Sequence, residues 1–396
     1  MICRNPYRSI SLANPPEPAR LQTVTFSVKT QSAVNTKLSR RLHTKAQPAV
    51  CQIAGFGAAL PEMEVSNHQF EAILDTSDEW ITQRTGISNR RFCGPQESSA
   101  TLAIEASKKA ISMARIPTDR IDLIICATVS PQSVTPPNAT RIQAALSCPP
   151  IPAFDISAAC SGFLFALSTA ETFLNSGRCK TALVVGAEAL SRRMNFADRN
   201  SCILFGDAAG AVVLNAPSEF DSTSTDTLDA LGVSAPTGPR MLSCDVQSMP
   251  DLDELIRVPS NTVDSENSLA SDPEFLETGK FDHLGIDGRE VFRFAIETMC
   301  QCIRDTATKN KIAVSEIDLI VPHQVNTRVF DAVAERLKID RDKIFSNLAN
   351  YGNTSAASVP VALEEVARTG AAKPGDLVCV VAFGGGLSCG SAMLHW

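Results

Sequence analysis

Two hydrophobic patterns alternate along most of this chain. Short, nearly unbroken apolar runs such as Leu123 to Ala127, Ala182 to Gly186 and Leu377 to Val381 predict strands covered on both faces. Amphipathic stretches from Ala103 to Ala114 and from Val291 to Thr308 predict helices lying on such a sheet. Strands alternating with helices place the chain in the α/β class. No stretch offers the roughly 20 continuously apolar residues of a membrane helix. The nearest, Leu377 to Leu394, is broken by glycines and serines and reads as two buried strands around a turn. The reading is therefore of a protein not embedded in a membrane.

The pattern also repeats. Ile121-Asp122-Leu123-Ile124-Ile125 recurs 196 positions later as Ile317-Asp318-Leu319-Ile320-Val321, each copy following one of the amphipathic helices. Ala182-Leu183-Val184-Val185-Gly186 is echoed 195 positions on, from Leu377 to Val381, and a glycine-bearing strand follows in both copies. Between these landmarks, Ser157 to Gly162 is set against Gly352 to Ala357. Two pseudo-equivalent βα halves follow, 51–215 and 283–396, whose central helices meet at the junction under outer helices. In that arrangement Cys160 and Asn353 face each other.

Composition changes the picture at two places. Residues 1–50 carry eight Lys or Arg and one acid, Glu17, without a sustained hydrophobic period. They read as a basic leader outside the fold, either a flexible extension or an organelle transit peptide. The first assignment implies a cytoplasmic protein and the second a plastid stromal one. Residues 216–282 hold 14 acids against three bases and predict an acidic surface excursion, with only short pieces such as Asp253 to Arg257 ordered. The formal charge of -7 argues against a nucleic-acid partner. Thirteen cysteines, scattered and mostly within apolar runs, read as reduced and intracellular. Cys300 and Cys302 are too close for a zinc knuckle, so no metal is expected.

Single residues say less. Cys160 taken alone is an ordinary core thiol. At the first turn of a helix beginning near Ala159, the helix dipole and free amides are expected to lower its pKa. His323 ends a strand, where a structural histidine and a catalytic one look alike. Asn353 alone is a turn residue. The glycines of Phe383-Gly384-Gly385-Gly386 lack the spacing of a dinucleotide site and suit a close approach of substrate to a backbone amide.

Together these residues resemble the ketoacyl synthase III family of the thiolase-like superfamily, from about Cys51 to Trp396. The motifs that carry the likeness are Asp75 to Ile81, Arg84-Thr85-Gly86-Ile87, Ala158-Ala159-Cys160-Ser161-Gly162-Phe163 and Phe205-Gly206-Asp207. Val321-Pro322-His323-Gln324, Gly352 to Ser358 and Phe383 to Gly386 complete the set. The resemblance implies a layered α-β-α-β-α sandwich and a decarboxylative Claisen condensation of acyl-CoA with malonyl-acyl-carrier protein, with no permanently bound cofactor. It implies Cys160 as the acylated nucleophile, His323 and Asn353 as stabilisers of the enolate, and an oxyanion hole at the amides of Cys160 and Gly385. The coenzyme A adenine is implied between Trp80 and Arg199, with Thr85, Gly288, Phe292 and Asn326 along the pantetheine tunnel and Arg84 as a further substrate-binding residue. Gln324, Val325, Asn326, Thr327 and Arg328, helped by Arg293 and Arg336, are implied as the carrier-protein contact, and the assembly as a homodimer. Members limited to short primers resemble one another in an aromatic at the position of Thr135; the small residue here implies a longer pocket. Another thiolase-like condensing enzyme, of the polyketide-starter or hydroxymethylglutaryl-CoA synthase type, shares a Cys, His, Asn set. A cysteine hydrolase is the reading from a different class.

Overall fold

A strand buried on both faces must be covered twice, and this chain meets that demand by wrapping two strand sets around a shared pair of helices. The computed structural model describes residues 51–216, 238–250, 255–257 and 284–396. The basic leader of residues 1–50 lies outside them. The first strand set comprises β1 (Cys51–Ala59), β4 (Leu123–Ala127), β5 (Ala153–Ile156), β6 (Thr181–Glu188) and β7 (Ala208–Asn215). The second comprises β8 (Arg240–Ser248), β11 (Leu319–Pro322), β12 (Leu377–Gly384) and β13 (Ser388–His395). Between β1 and the helix that follows, β2 (Met63–Ser66) and β3 (Asn89–Phe92) form a small ribbon that carries α1 (Asn67–Glu71) and α2 (Asp78–Thr85). A second ribbon pairs β9 (Ile256–Arg257) with β10 (Gly285–Ile286).

The ladder runs β11-β12-β13-β8-β1-β7-β6-β4-β5, nine strands joined at the middle by two residue pairs, Cys51 with Met241 and Gln52 with Arg240. Outer helices α3 (Ser99–Ala114) and α4 (Asn138–Ala145) cover one set, and α6 (Gly288–Lys309) and α7 (Thr327–Leu337) cover the other. Between the sets lie α5 (Gly162–Asn175) and α9 (Ser358–Thr369), whose apolar faces share one core with both, from Phe163 and Val359 to Val184 and Val380. The expected five layers are present. A short helix, α8 (Leu348–Tyr351), sits just before Asn353.

The repeat is visible in the polar contacts as well as the strands. Asp122 accepts from the amide of Thr181 at 3.1 Å, and Asp318 accepts from that of Leu377 at 2.8 Å. Thr181 therefore corresponds to Leu377, an offset of 196, and the echo of Ala182 at Leu377 is corrected by one residue. In a strand, one residue is the difference between the two faces. The same offset matches the 3-10 turns Ala159–Ser161 and Ser355–Ala357. Both open on a non-glycine residue in the left-handed region, Ala159 at φ 46° and Ser355 at φ 49°. Cys160 thus has Ala356 as its counterpart, and Asn353 lies outside the turn.

The expected acidic excursion is also corrected. Residues 240–248 within it form β8, paired with β13 along its length and with Met241 1% exposed. The segment's acid count hid an inner strand, whose Met241, Leu242, Cys244 and Val246 pack into the core between Arg240, Asp245 and Gln247. Leu255 to Arg257 is ordered as expected; Asp253 and Glu254 lie outside the described residues. Among the described residues no helix is long and apolar enough to cross a membrane.

Close approach of α9 to the first strand set depends on paired glycines, Gly186 on β6 and Gly210 on β7. A Cβ on Gly186 would come within 2.3 Å of the Ala356 carbonyl oxygen. Gly186→Ala is expected to cost about 1–3 kcal/mol of unfolding free energy, read as a lower urea midpoint. An unchanged midpoint would show that the turn at Ser355 yields freely.

Candidate active site

Cys160 is held by the contact of two turns. β5 leads into the Ala159–Ser161 turn, and α5 leaves from it. Gly384, at the end of β12, lies so close that a Cβ there would sit 2.6 Å from the Cys160 amide nitrogen. Serines stitch the turn of β12 and β13 to it: the Ser388 hydroxyl is 2.9 Å from the Gly385 carbonyl and 3.1 Å from that of Ala158. The Ser161 hydroxyl reaches Ser388 at 2.7 Å. These bonds fix the backbone of Cys160 against that of Gly385.

The expected acidic thiol is not what this environment produces. Burial pushes the Cys160 thiol up to about 12, opposed by a hydrogen bond from Ser355 and by its own amide, and reinforced by the charge of Glu188. Loss of solvation outweighs the turn's favourable dipole, because no counter-charge accompanies the sulfur into the interior. Cys160 keeps some surface toward a cavity and rests as a thiol.

His323 follows β11 and is anchored by its amide, which donates to the Val381 carbonyl at 2.7 Å. Its side chain is 1% exposed, with Phe383 edge-on at 5.6 Å. Nδ1 lies 2.6 Å from the hydroxyl of Ser358, the first residue of α9. Burial pushes the imidazole down to about 3, so the ring is neutral. The tautomer sets the roles in this bond: with Ser358 donating to Nδ1, the neutral ring carries its proton on Nε2.

Asn353 is set by backbone and side chain together. Its amide donates to Leu204 at 2.8 Å and its carbonyl accepts from Gly206 at 3.0 Å. The side-chain Oδ1 accepts from the Ser355 amide at 2.8 Å, which turns the Nδ2 end into the donor. Cys160, His323 and Asn353 all line one cavity of about 160 Å³, whose remaining wall is mostly apolar, including Phe205, Phe292 and Val325.

The residues expected along the tunnel divide. Gly288, Phe292, Val325 and Asn326 line the cavity, and the Asn326 side chain caps α7 by accepting from the Arg328 amide at 2.9 Å. Thr85 does not line it: its hydroxyl donates to Ile81 at 2.8 Å and accepts from the Ile87 amide at 3.0 Å. Arg84 and Arg199 both stack on Trp80, at 4.6 and 5.0 Å from the ring centroid. The indole face is covered by guanidinium, so an adenine would have to part that stack. Thr135 is exposed on the loop between β4 and α4.

Around the mouth, Arg328 and Arg336 are exposed, and Arg293 is exposed but ion-paired with Glu290 of the same helix. Thr327 is half-buried against α2, its hydroxyl 3.4 Å from the Thr85 carbonyl. Gln324 is a correction. It is 1% exposed, donates to the Pro322 and Phe345 carbonyls and accepts from the Asn347 amide. A side chain so enclosed braces the wall and cannot touch a docked partner.

Sequence reasoning missed the residues that surround the three. Ser355, Ser358 and Ser388 carry no signal of their own, since serine is ordinary at turns and helix starts. Glu188 did carry one: a lone carboxylate ending the apolar run of β6, 0% exposed in the structure. It accepts from the amides of Val129 at 3.2 Å and Ser130 at 3.1 Å, and also from the Ser130 hydroxyl.

Known proteins are similar to this chain in sequence and fold. The family described as 3-oxoacyl-[acyl-carrier-protein (ACP)] synthase III matches residues 154–229, and its C-terminal counterpart matches residues 307–396. The beta-ketoacyl-[acyl-carrier-protein] synthase III of Erythrobacter litoralis is 40% identical over 344 residues, covering 87% of this chain and 98% of that protein. The crystal structure of 3-oxoacyl-[acyl-carrier-protein] synthase III from Aquifex aeolicus superposes with a TM-score of 0.74 at 38% identity, covering 87% of this chain and all of the other. A priming beta-ketosynthase from the R1128 polyketide pathway has a TM-score of 0.73 at 30% identity, covering 89% of this chain and 98% of the other. With near-complete coverage of such relatives and the same layered fold around Cys160, His323 and Asn353, this chain belongs to the beta-ketoacyl-[acyl-carrier-protein] synthase III family.

Proposed function

We propose that this chain condenses an acyl-CoA primer with malonyl-acyl-carrier protein, releasing CoA and CO2 and giving a 3-oxoacyl-acyl-carrier protein two carbons longer, the opening step of type II fatty acid synthesis. The observation that carries this reading is the convergence of a thiol and two neutral hydrogen-bond donors on one mostly apolar cavity. Cys160 attacks the primer thioester, and the backbone amides of Cys160 and Gly385 hold the tetrahedral oxyanion until CoA departs. Loss of CO2 from the malonyl group then leaves an enolate. Its oxygen accepts from His323 Nε2 and Asn353 Nδ2, donors fixed in advance by Ser358 and Ser355. The enolate carbon attacks the acyl group on Cys160.

The same geometry disfavours a hydrolase. A cysteine hydrolase needs an imidazole that takes the thiol proton. An imidazole pushed down to about 3 makes a weak base and a lasting donor. The polyketide-priming reading shares all of this chemistry and differs only in which primer enters and which pathway uses the product.

The carrier protein docks, in this proposal, around Val325, Asn326, Thr327 and Arg328, with Arg293 and Arg336 flanking. An acidic carrier and a phosphate-bearing arm suit that local basic surface on a chain of net charge -7. A homodimer is part of the reading: β5 is an edge strand with one free side, and Val134, beside Thr135, is 86% exposed. Thr135 would then reach a partner's acyl pocket and leave it room for primers longer than acetyl.

Intact-protein mass spectrometry after incubation with acyl-CoA should show one acyl adduct on the wild type and none on Cys160→Ala. Asn353→Ala should keep the adduct but lose condensation by about 10²–10³-fold. An adduct on the alanine variant at Cys160 would end the proposal.

His323 also fixes the expected pH dependence of the second step. Its folded pKa of about 3 lies below the ordinary 6.5, so the neutral, donating ring persists as pH falls through 6.5 and is lost only near 3. Single-turnover condensation by pre-acylated enzyme should therefore show no inflection near 6.5. A loss of rate there that disappears in His323→Gln would contradict the neutral-donor role.

A further inference from the structure

Arg90, on β3, is 0% exposed, the largest side chain among the described residues to be so, and it does not line the cavity. Its guanidinium joins two parts of the fold. Nη1 donates to Asn67 Oδ1 at 2.7 Å and to the Val65 carbonyl at 3.3 Å, and Nη2 donates to the Ile203 carbonyl at 2.6 Å. The Phe70 ring covers one face, with its centroid 4.8 Å from the guanidinium carbon. All three acceptors are neutral, and Nε has no partner among the described residues. A cation buried on such terms is costly, and a hydrophobic residue would fill the same space without that cost.

Beyond the Ile203 bond lies the frame of Asn353. Leu204, the next residue, accepts from the Asn353 amide, and Gly206 donates to the Asn353 carbonyl. The Arg90 stem packs into that frame: the Cβ atoms that Gly206 and Gly352 lack would sit 3.2 and 3.4 Å from the Arg90 Cβ. Around it, the Arg91 carbonyl accepts from the Asp207 amide at 2.8 Å, and the Ser88 amide donates to the Ala349 carbonyl of α8 at 3.0 Å. The other end of the guanidinium is anchored just as firmly. Asn67 Nδ2 donates to the Ile87 carbonyl at 2.7 Å and to Asp78 Oδ1 at 2.9 Å, at the start of the helix that carries Trp80.

We propose that Arg90 is a positioning residue for the condensation step: by tying Ile203 to the β2–β3 ribbon it fixes the segment from Leu204 to Gly206, and through that segment it aims the Asn353 carboxamide into the cavity. This rests on the condensing-enzyme reading above. In that reading acylation of Cys160 makes no use of Asn353, whereas the enolate does. Loss of Arg90 therefore slows the second step and spares the first. Lysine keeps the charge and most of the stem, but a single ammonium cannot hold the ribbon and Ile203 at once.

The test is a double-mutant cycle on the full chain with Arg90→Lys, Asn353→Ala and the two combined. Intact-protein mass spectrometry follows two single-turnover steps, formation of the Cys160 adduct from acetyl-CoA and its consumption by malonyl-carrier protein. Arg90→Lys should acylate at the wild-type rate and condense about 10-fold more slowly. In the Asn353→Ala background the same substitution should slow condensation by less than about twofold, because the group it acts through is gone. Equal losses in both steps, a full second loss in the double variant, or condensation by Arg90→Lys at the wild-type rate would each overturn the proposal. A wild-type adduct that malonyl-carrier protein does not consume would instead sink the condensing reading, and this inference with it. Should Arg90→Lys fail to melt cooperatively, Asn67→Ser takes its place in the cycle, since it cuts the ribbon end of the link while leaving Arg90 on Ile203, and it must show the same division between the steps.

Discussion

Everything in this protein hangs on the meeting of two 3-10 turns in the middle of the molecule, Ala159–Ser161 from one half and Ser355–Ala357 from the other. Each turn ends a strand-and-loop unit and starts a helix that serves as core for both strand sets. Side chains larger than alanine or serine would not allow the approach, and the turns are built almost entirely of those two. Gly162 is part of the same fit, with Ala127 and Ala356 both within van der Waals reach of the Cβ it lacks. Because the turns are buried, every polar group on them needs a partner. The serines and the glycine turn of β12 and β13 supply partners, and those partners are what orient Cys160, His323 and Asn353.

Dryness is the second constraint, and it sets the protonation states. A thiol and an imidazole taken out of water both revert to their neutral forms, one pushed up and the other down. For the imidazole this is useful: an oxygen that becomes negative only in the transition state is best met by a donor that was never charged in the ground state. For the thiol it creates a difficulty, since the nucleophile is the thiolate. A helix start alone does not resolve it. The sequence suggested that it would, because a dipole can be read from residue order and a desolvation cost cannot.

Much of the architecture was nonetheless legible. Buried strands announce themselves as apolar runs, and a duplicated fold announces itself as a repeated run; Ile121 to Ile125 and Ile317 to Val321 do correspond at the stated offset. What the letters did not carry was register. Ala182 and Leu377 look alike to within one position, and only the paired carboxylates Asp122 and Asp318 say which residue matches which. β8 was missed for a different reason: Arg240, Asp245 and Gln247 interrupt its apolar residues, and the segment around it is acidic. Cys160, His323 and Asn353 were found through a family likeness, while the serines that aim them look like any serine at a turn. Gln324 shows the reverse error: a motif residue next to His323, read as surface, is sealed into the wall.

With the register settled, the chemistry becomes a matter of broken symmetry. At an offset of 196, Cys160 corresponds to Ala356, His323 to Ala127, Ser358 to Gly162 and Glu188 to Gly384. Where the second half has His323 against Ser358, the first has Ala127 against Gly162, whose missing Cβ would sit 3.3 Å from that alanine. The same contact carries a polar pair in one half and a packing pair in the other. Glu188 and Gly384 show the consequence most directly. Glu188 fills its place in the first half with a side chain, which accepts from the amides of Val129 and Ser130. Gly384 stands at the equivalent place beside the Cys160 amide and brings no side chain. One place is filled by a carboxyl side chain; the other, beside the Cys160 amide, is left open. A single duplicated unit thereby yields a filled place in one half and an open one in the other, and the difference between them is one side chain.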